Sequence, residues 1–377
     1  HRYGRRMQTI SGIHYNWSLP ESPPERSNEQ YFALVRNFRR SAWLLFYLFG
    51  ASPAVCETFV RGHPGHGLQP LAPGTLHLPY ATSLRMGRLG YQSDAQSKLA
   101  VSYNSLAEYG ASLHDALVTP YPPYEKIGLR DEEGDYRQLS TSLLQIENEF
   151  YGKIRPKRTI RPGERPLYAL RERGVEYVEV RLMDLDPFSP IGITAPVCRF
   201  LDAFLLHCLF SESPPDSPAE IAAINRIQER VAARGREPGL ALQRGAGEVT
   251  LKDWAGELMA ECAAIAEKLD AALGGAAYRD AVASAAVSLQ DPSLAPSARV
   301  LHAMERNHGG SYLRFVLAES LLHRGSLAGT PLPPAAASSY AEMAQASLAE
   351  QRDIESSDRA DFDSWLRDYL DPAKLKI

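Results

Sequence analysis

The chain is poor in cysteine, with four in 377 residues (Cys56, Cys198, Cys208, Cys262), and none forms a CxxC pair. That excludes a disulfide framework and a cysteine zinc site, and leaves free thiols in a reducing compartment as the expectation. An excess of either charge is also lacking. The formal net charge is -4 and the pI about 6.2, and no basic tail or stripe is present to grip a phosphate backbone, so a nucleic-acid partner is not expected. The longest apolar run, Trp43 to Val55, is too short to cross a bilayer and is interrupted by Gly50 and Pro53; no membrane association is expected. Neither GxxxxGK[ST] nor GxGxxG occurs, so any nucleotide is held by other means. GxSxG and HExxH are missing too, which removes the common serine-hydrolase and zinc-protease signatures.

An initiator methionine and a signal-peptide pattern are also missing. The first residues, His-Arg-Tyr-Gly-Arg-Arg, run directly into a strand pattern, and a piece of a longer chain is expected from this.

What remains has ordinary globular proportions, 44% apolar and 23% charged, and two textures. Fourteen of the eighteen tyrosines precede residue 178, together with the evident strand patterns. Beyond Ser211-Glu-Ser-Pro-Pro-Asp-Ser-Pro218 the chain turns Ala-rich and helical in pattern. The division expected is 1–211 for a mixed region and 212–377 for a mainly helical one. Helical spacing joins Leu34, Val35, Phe38, Ala42 and Leu45, ending near Gly50. It recurs through Phe200, Leu201, Phe204, Leu205 and Cys208, and again from Trp254 to Leu269, before Gly274-Gly275. Strands mixed with segregated helices and no βαβ alternation predict an α+β fold.

Three segments alternate as strands. In residues 7–19, Met7, Ile13, Tyr15, Trp17 and Leu19 share a side, opposite Gln8, Gly12, His14, Asn16 and Ser18. Residues 143–151 and 175–182 split likewise, the latter into Val178, Val180 and Leu182 against Tyr177, Glu179 and Arg181. A solvated sheet face would explain the polar sides without function. Their composition argues for a pocket: imidazole, amides and paired Glu and Arg suit metal ions and an anionic ligand better than a merely wetted surface. Glu oxygens are hard ligands for Mg²⁺, one histidine among them is tolerable, and Arg181 and Arg85 offer planar forks for phosphate or carboxylate. Arg155-Pro-Lys157-Arg158 follows a predicted strand; a solvated loop is the weightier reading, a polyphosphate contact the other. Glu147 and Glu149 are equally open to strand packing or to a salt bridge with Arg155 or Arg158. Residue types alone do not name a reaction.

At these same segments the sequence resembles proteobacterial glutamate–cysteine ligase. The likeness runs through Met7-Gln-Thr-Ile-Ser-Gly-Ile-His-Tyr-Asn-Trp17, Tyr47-Leu-Phe-Gly-Ala-Ser-Pro-Ala-Val-Cys56, Leu78-Pro-Tyr-Ala-Thr-Ser-Leu-Arg85 and Leu89-Gly-Tyr91. It continues in Leu144-Gln-Ile-Glu-Asn-Glu-Phe-Tyr151, Ile154-Arg-Pro-Lys-Arg158, Val175-Glu-Tyr-Val-Glu-Val-Arg181 and Asp186-Pro-Phe-Ser-Pro-Ile-Gly192. It covers residues 1 to about 210 and is looser beyond.

The resemblance implies an ATP-dependent ligase of glutathione biosynthesis that joins the γ-carboxyl of glutamate to the amine of cysteine through a γ-glutamyl phosphate. It implies a glutamine-synthetase-like curved antiparallel sheet forming a funnel, with Mg²⁺ (or Mn²⁺) and ATP as co-substrate. Carried over by position, His14 and Glu179 are metal ligands, and Arg181 and Arg85 face the transferring phosphoryl group or glutamate. Asn16 holds glutamate; Gln8, Tyr91 and Tyr151 line the cysteine pocket; Arg155, Lys157 and Arg158 meet the nucleotide. A cytoplasmic monomer is implied. The family's further acidic ligands precede the first matched motif and have no counterpart here, so weak or absent activity is expected of this stretch alone. Two alternatives stand beside this reading: a related glutamate–amine ligase with another acceptor, and a non-catalytic module binding glutamate or a thiol.

Overall fold

A computed structural model describes residues 2–3, 5–20, 24–90, 94–96 and 99–375. The apolar stripes read from the sequence become the helices that build its core. The stripe beginning at Leu34 forms two helices, α1 (Pro24–Ser41) and α2 (Trp43–Phe49), divided at Ala42. In α2 every residue from Trp43 to Leu48 is buried, so this piece is apolar all round and lies inside the core. It ends at Gly50, where the backbone turns extended at a ψ of 130°, and only glycine fits there because a β-carbon would stand 2.4 Å from the Phe46 carbonyl oxygen and 2.7 Å from that of Thr82.

Three short helices follow: α3 (Leu106–Val118), α4 (Pro122–Ile127) and α5 (Pro166–Arg173). The stripe at Phe200 is α6 (Ala195–Phe210), which buries all five residues expected of it. After α7 (Pro218–Arg234), the third stripe is α8 (Leu251–Leu273). Its start is capped by the Thr250 hydroxyl accepting from the Asp253 N–H, and its stop is Gly274 at a φ of +85°. The remaining helices are α9 (Ala277–Gln290), α10 (Pro296–His308), α11 (Tyr312–Ala328), α12 (Pro334–Ser357) and α13 (Phe362–Tyr369). None of the helices among the described residues is long and apolar enough to cross a membrane.

Strands are few and short. β1 (Ile13–Trp17), β5 (Ile154–Lys157) and β6 (Tyr177–Met183) form an antiparallel sheet in the order β1-β6-β5. β2 (Ala54–Cys56), β3 (Gln69–Ala72) and β4 (Thr75–His77) form a second, and β7 (Ala241–Arg244) with β8 (Gly247–Thr250) a hairpin inside the otherwise helical second half. The fold is α+β and mostly helical. The curved funnel sheet expected from the resemblance is not seen: among the described residues no sheet exceeds three strands.

Of the three predicted strands one is shorter than its alternation promised and one, residues 143–151, does not form, and the reasons are local. Residues Arg5–Thr9 form a 3₁₀ turn, so only Ile13–Trp17 of the first segment pairs. Within residues 143–151 side chains take backbone groups that a ladder would need. The Glu149 carboxylate accepts the Gln145 N–H at 2.6 Å, the Gln145 side chain accepts the Leu139 N–H at 2.5 Å, and Glu147–Glu149 close a 3₁₀ turn. Residues 155–157, weighed as a solvated loop, are instead strand β5, the outer partner of β6. Pro156 fits there, since β5 pairs on one side only among the described residues.

One apolar cluster packs beneath the β1-β6-β5 sheet. It joins Leu34, Phe38 and Trp43 to Val178, Val180 and Phe204, and takes Val231, Leu242, Leu258 and Cys262 from beyond residue 211. Phe38 meets Phe204 edge-on at 5.7 Å, and Trp43 lies 4.9 Å from Trp254. All four cysteines are free, with Cys208 and Cys262 buried and the other two half-buried.

The two open glutamates resolve as structural. Glu147 is buried against Arg165, not Arg155 or Arg158, at 2.6 Å, and Glu149 lies 3.8 Å from Arg2. Arg165 also donates to the Tyr369 carbonyl at 2.8 Å, fastening the end of α13 to this loop. Glu147→Ala would leave the Arg165 charge buried without its partner. A loss of about 3–5 kcal/mol of unfolding free energy is expected, read by urea denaturation.

Candidate active site

Strand β6 carries the site because it is paired along both edges. Its inward residues Val178, Val180 and Leu182 are buried in the core, which turns Tyr177, Glu179 and Arg181 to the other face. The register sets Asn16 of β1 and Arg155 of β5 opposite Glu179, and Lys157 opposite Tyr177. Directly opposed residues share a face, so Asn16, Glu179, Arg155, Lys157 and Tyr177 stand together.

His14 joins them through an irregularity. Tyr15 pairs with Val180 but Ile13 with Met183, so Arg181 and Leu182 face His14 alone across a β-bulge. Bulges of this kind re-aim side chains at functional sites. Here His14 Nδ1 comes to 3.5 Å from Glu179 Oε1, while Arg181 Nη1 donates to Glu179 Oε2 at 2.7 Å.

The charge states follow from these neighbours. Burial pushes the Glu179 carboxyl up, but the Arg181 hydrogen bond and the charges of Lys157, Arg181 and His14 outweigh it and hold the group below the usual carboxylate range. Burial lowers the His14 imidazole, the Arg181 charge lowers it further, and Glu179 opposes both without prevailing. Burial likewise lowers the Lys157 ammonium. Glu179 is thus ionised and His14 neutral at pH 7, which are the forms that bind metal.

The donor set suits Mg²⁺ in part. One carboxylate and one neutral imidazole fit two positions of a shell that Mg²⁺ commonly completes with water and phosphate oxygens. No group of three His, Cys, Asp or Glu side chains converges among the described residues, so His14 and Glu179 could hold such an ion only with outside ligands.

The other residues picked from the sequence are placed less uniformly. Arg85 is buried behind the face, with Nη2 donating to the Arg181 carbonyl at 2.9 Å and Nη1 to the Met183 carbonyl at 3.3 Å. Arg155 is buried as well and donates to the Asn148 carbonyl at 3.1 Å. Arg158 lies past the end of β5, 3.6 Å from Glu176. Gln8 is exposed on the 3₁₀ turn. Tyr151 packs edge-on to Tyr3 at 6.0 Å and lines a cavity of about 170 Å³ with Tyr103, Lys153 and Gln228; none of the other picked residues lines it. Tyr91 lies outside the described residues. Sequence reasoning missed Asp184, which sits 3.7 Å from Arg85. Alternation stops at Met183, the last residue of β6, so only an acidic residue just past a strand could have flagged it.

A proton titration of the His14 imidazole by NMR should give a value below 6.5, and Arg181→Met should raise it, because the second-largest cause is removed. The sign for stability follows: between the lowered folded value and 6.5 the unfolded chain binds more protons, so His14 makes stability fall as pH drops through that window.

Comparison with known proteins shows the family. The family described as glutamate-cysteine ligase matches residues 1–231. Glutamate–cysteine ligase of Pseudomonas entomophila is 47% identical over 98% of this chain and 72% of its own length. That of Azotobacter vinelandii is 46% identical over 98% and 72%. The crystal structure of the Francisella tularensis glutamate–cysteine ligase, solved with AMP, superposes with a TM-score of 0.92 at 36% identity, over 99% of this chain and 75% of that one. A bifunctional glutathione synthetase from Pasteurella multocida shares the fold with a TM-score of 0.62 at 23% identity. The chain therefore belongs to the glutamate–cysteine ligase family, and its function is that of an ATP-using ligase joining glutamate to cysteine in glutathione biosynthesis.

Proposed function

We propose that the polar face of the β1-β6-β5 sheet is where the γ-carboxylate of glutamate is phosphorylated by ATP and then passed to the cysteine amine. The observation that carries this is the convergence of His14, Asn16, Glu179, Arg181, Arg155 and Lys157 on one face, fixed by pairing on both edges of β6. The first step sets a carboxylate against a polyphosphate, two anions that repel, so the site's main task is to lay down positive charge before they meet. Arg181 does this at the transferring phosphoryl group, and its bond to Glu179 sets the direction of its fork. Arg85, buried beneath, adds a second positive charge in a poorly screened setting.

Mg²⁺ or Mn²⁺ held by His14 and Glu179 would supply further charge to the phosphate oxygens. Asn16, exposed beside Glu179 in the register, is placed to hydrogen-bond the glutamate substrate. Lys157, Arg158 and Arg155 along β5 and its end are assigned to the nucleotide, in keeping with the AMP bound by the Francisella relative. Gln8, Tyr91 and Tyr151 are assigned to the cysteine side. In the second step the cysteine amine attacks the γ-carbonyl carbon of the acyl phosphate, the C–N bond forms, and phosphate leaves.

The glutamine-synthetase-like curved sheet belongs to the same proposal. What supports it is the antiparallel β1-β6-β5 sheet with one polar face and one face on the core. The cytoplasm, which holds ATP and reduced thiols together, is the compartment this chemistry needs, and a monomer belongs to the same proposal.

The test is γ-glutamylcysteine formation with Mg²⁺·ATP. Arg181→Ala and Glu179→Gln should each lower kcat by about 10²–10³-fold. Wild-type rates in both variants would refute the assignment. In an acceptor panel cysteine should be preferred to bulkier amines; equal use of them would move the acceptor assignment to another amine.

A further inference from the structure

Asp184 is the first residue beyond β6, and its carboxylate is buried. Oδ2 accepts the Ala51 N–H at 2.9 Å and the Ser52 hydroxyl at 2.7 Å, and Oδ1 accepts the Ser83 hydroxyl at 3.0 Å. Ser52 and Ser83 form a bridge between their two segments, and Ser83 caps the 3₁₀ turn Leu84–Met86 that holds Arg85. The Asp184 carboxylate is therefore the point where the ends of three segments meet, 3.7 Å from Arg85 Nη1.

The guanidinium is confined from its other sides too. Two of its donors face the carbonyls of Arg181, in the bulge of β6, and of Met183, just beyond it. The chain just before β1 lies against it so closely that a β-carbon on Gly12 would stand 2.2 Å from Cζ and Nη2. At Gly90 a β-carbon would lie 1.8 Å from the Arg85 carbonyl oxygen. Two glycines are thus required where backbone closes on this arginine.

We infer that Asp184 is a positioning residue: it holds the Arg85 guanidinium on the bulged peptide of Arg181 and so sets the direction from which Arg181 reaches the transferring phosphoryl group. The inference rests on the assignment of Arg85 and Arg181 to the phosphoryl-transfer site. A buried guanidinium deprived of its counter-ion turns toward other acceptors or water. The carbonyl contact to the bulge would then be lost.

A double-mutant cycle in γ-glutamylcysteine synthesis, run well below the melting temperature of each variant, tests it. Asp184→Asn keeps the shape and removes the charge; kcat/KM should fall about tenfold to a hundredfold. Arg85→Lys should fall by a similar factor, and the double variant by no more than about threefold beyond either, because both act through one group. Gly12→Ala, which touches none of the groups that hydrogen-bond Asp184, should lower kcat similarly by pushing the same guanidinium, and its loss should not add to that of Asp184→Asn, whereas a merely structural role for Asp184 makes the two losses additive. If Asp184→Asn proves too unstable, Ser83→Ala removes one of its hydrogen bonds, and its smaller loss should vanish in the Arg85→Lys background. Wild-type activity in Arg85→Lys would sink the site assignment itself. A loss in Arg85→Lys with full additivity, or with an unaffected Asp184→Asn, would sink only the positioning role.

Discussion

Pairing of β6 on both edges, with helices beneath it, is the constraint on which the rest of the structure depends. Side chains alternate along a strand, and a slip of one residue would carry Val178 and Val180 onto the polar face and Glu179 and Arg181 into the core. Burying these two charges would cost far more than any gain from a different register. The five aromatic and aliphatic residues of α6 and the stripe of α1 supply the apolar surface that makes such a slip unfavourable. Precision on the polar face is therefore a product of hydrophobic burial on the opposite one.

The bulge at Arg181–Leu182 is the one place where that regularity breaks. It lets His14 approach Glu179, and it leaves the Arg181 peptide with a carbonyl that Arg85 can meet. The site is thus built in two layers. The outer layer of His14, Glu179 and Arg181 interacts through charge. The inner layer is Arg85, Asp184 and the two serines, in which both oxygens of the buried Asp184 carboxylate accept hydrogen bonds. Chemistry that depends on fixed positive charge requires such a rigid foundation, because reorganising dipoles during the reaction would raise the barrier.

Much of this was legible in the residues. The faces of residues 175–182 were read correctly, as were the buried stripe of α6 and the glycine stop after α8, because periodicity reports burial directly. The resemblance to glutamate–cysteine ligase matched the family that comparison then established. The segment 143–151 was misread for a specific reason. Its alternation is real, but Glu149 and Gln145 bind backbone groups at short range, and Glu147 reaches an arginine eighteen residues away. A polar side chain that competes for the backbone looks the same in sequence as one that lines a sheet. Arg155 shows the converse: a basic run that composition reads as a loop became an edge strand paired with β6.

By itself the sequence determined the helical stripes, the alternating identity of the β6 faces and the family, since each is written in local spacing or in ordered runs of residues. Only the tertiary structure decided which polar residues meet. Gly12, Arg85 and Asp184 lie far apart along the chain and share no local pattern. They come together because the bulge, the 3₁₀ turn at Leu84–Met86 and the end of β6 are packed against one another. Ion pairs act over a few ångströms, so their partners are set by how the chain folds back and not by how far apart its residues stand in sequence.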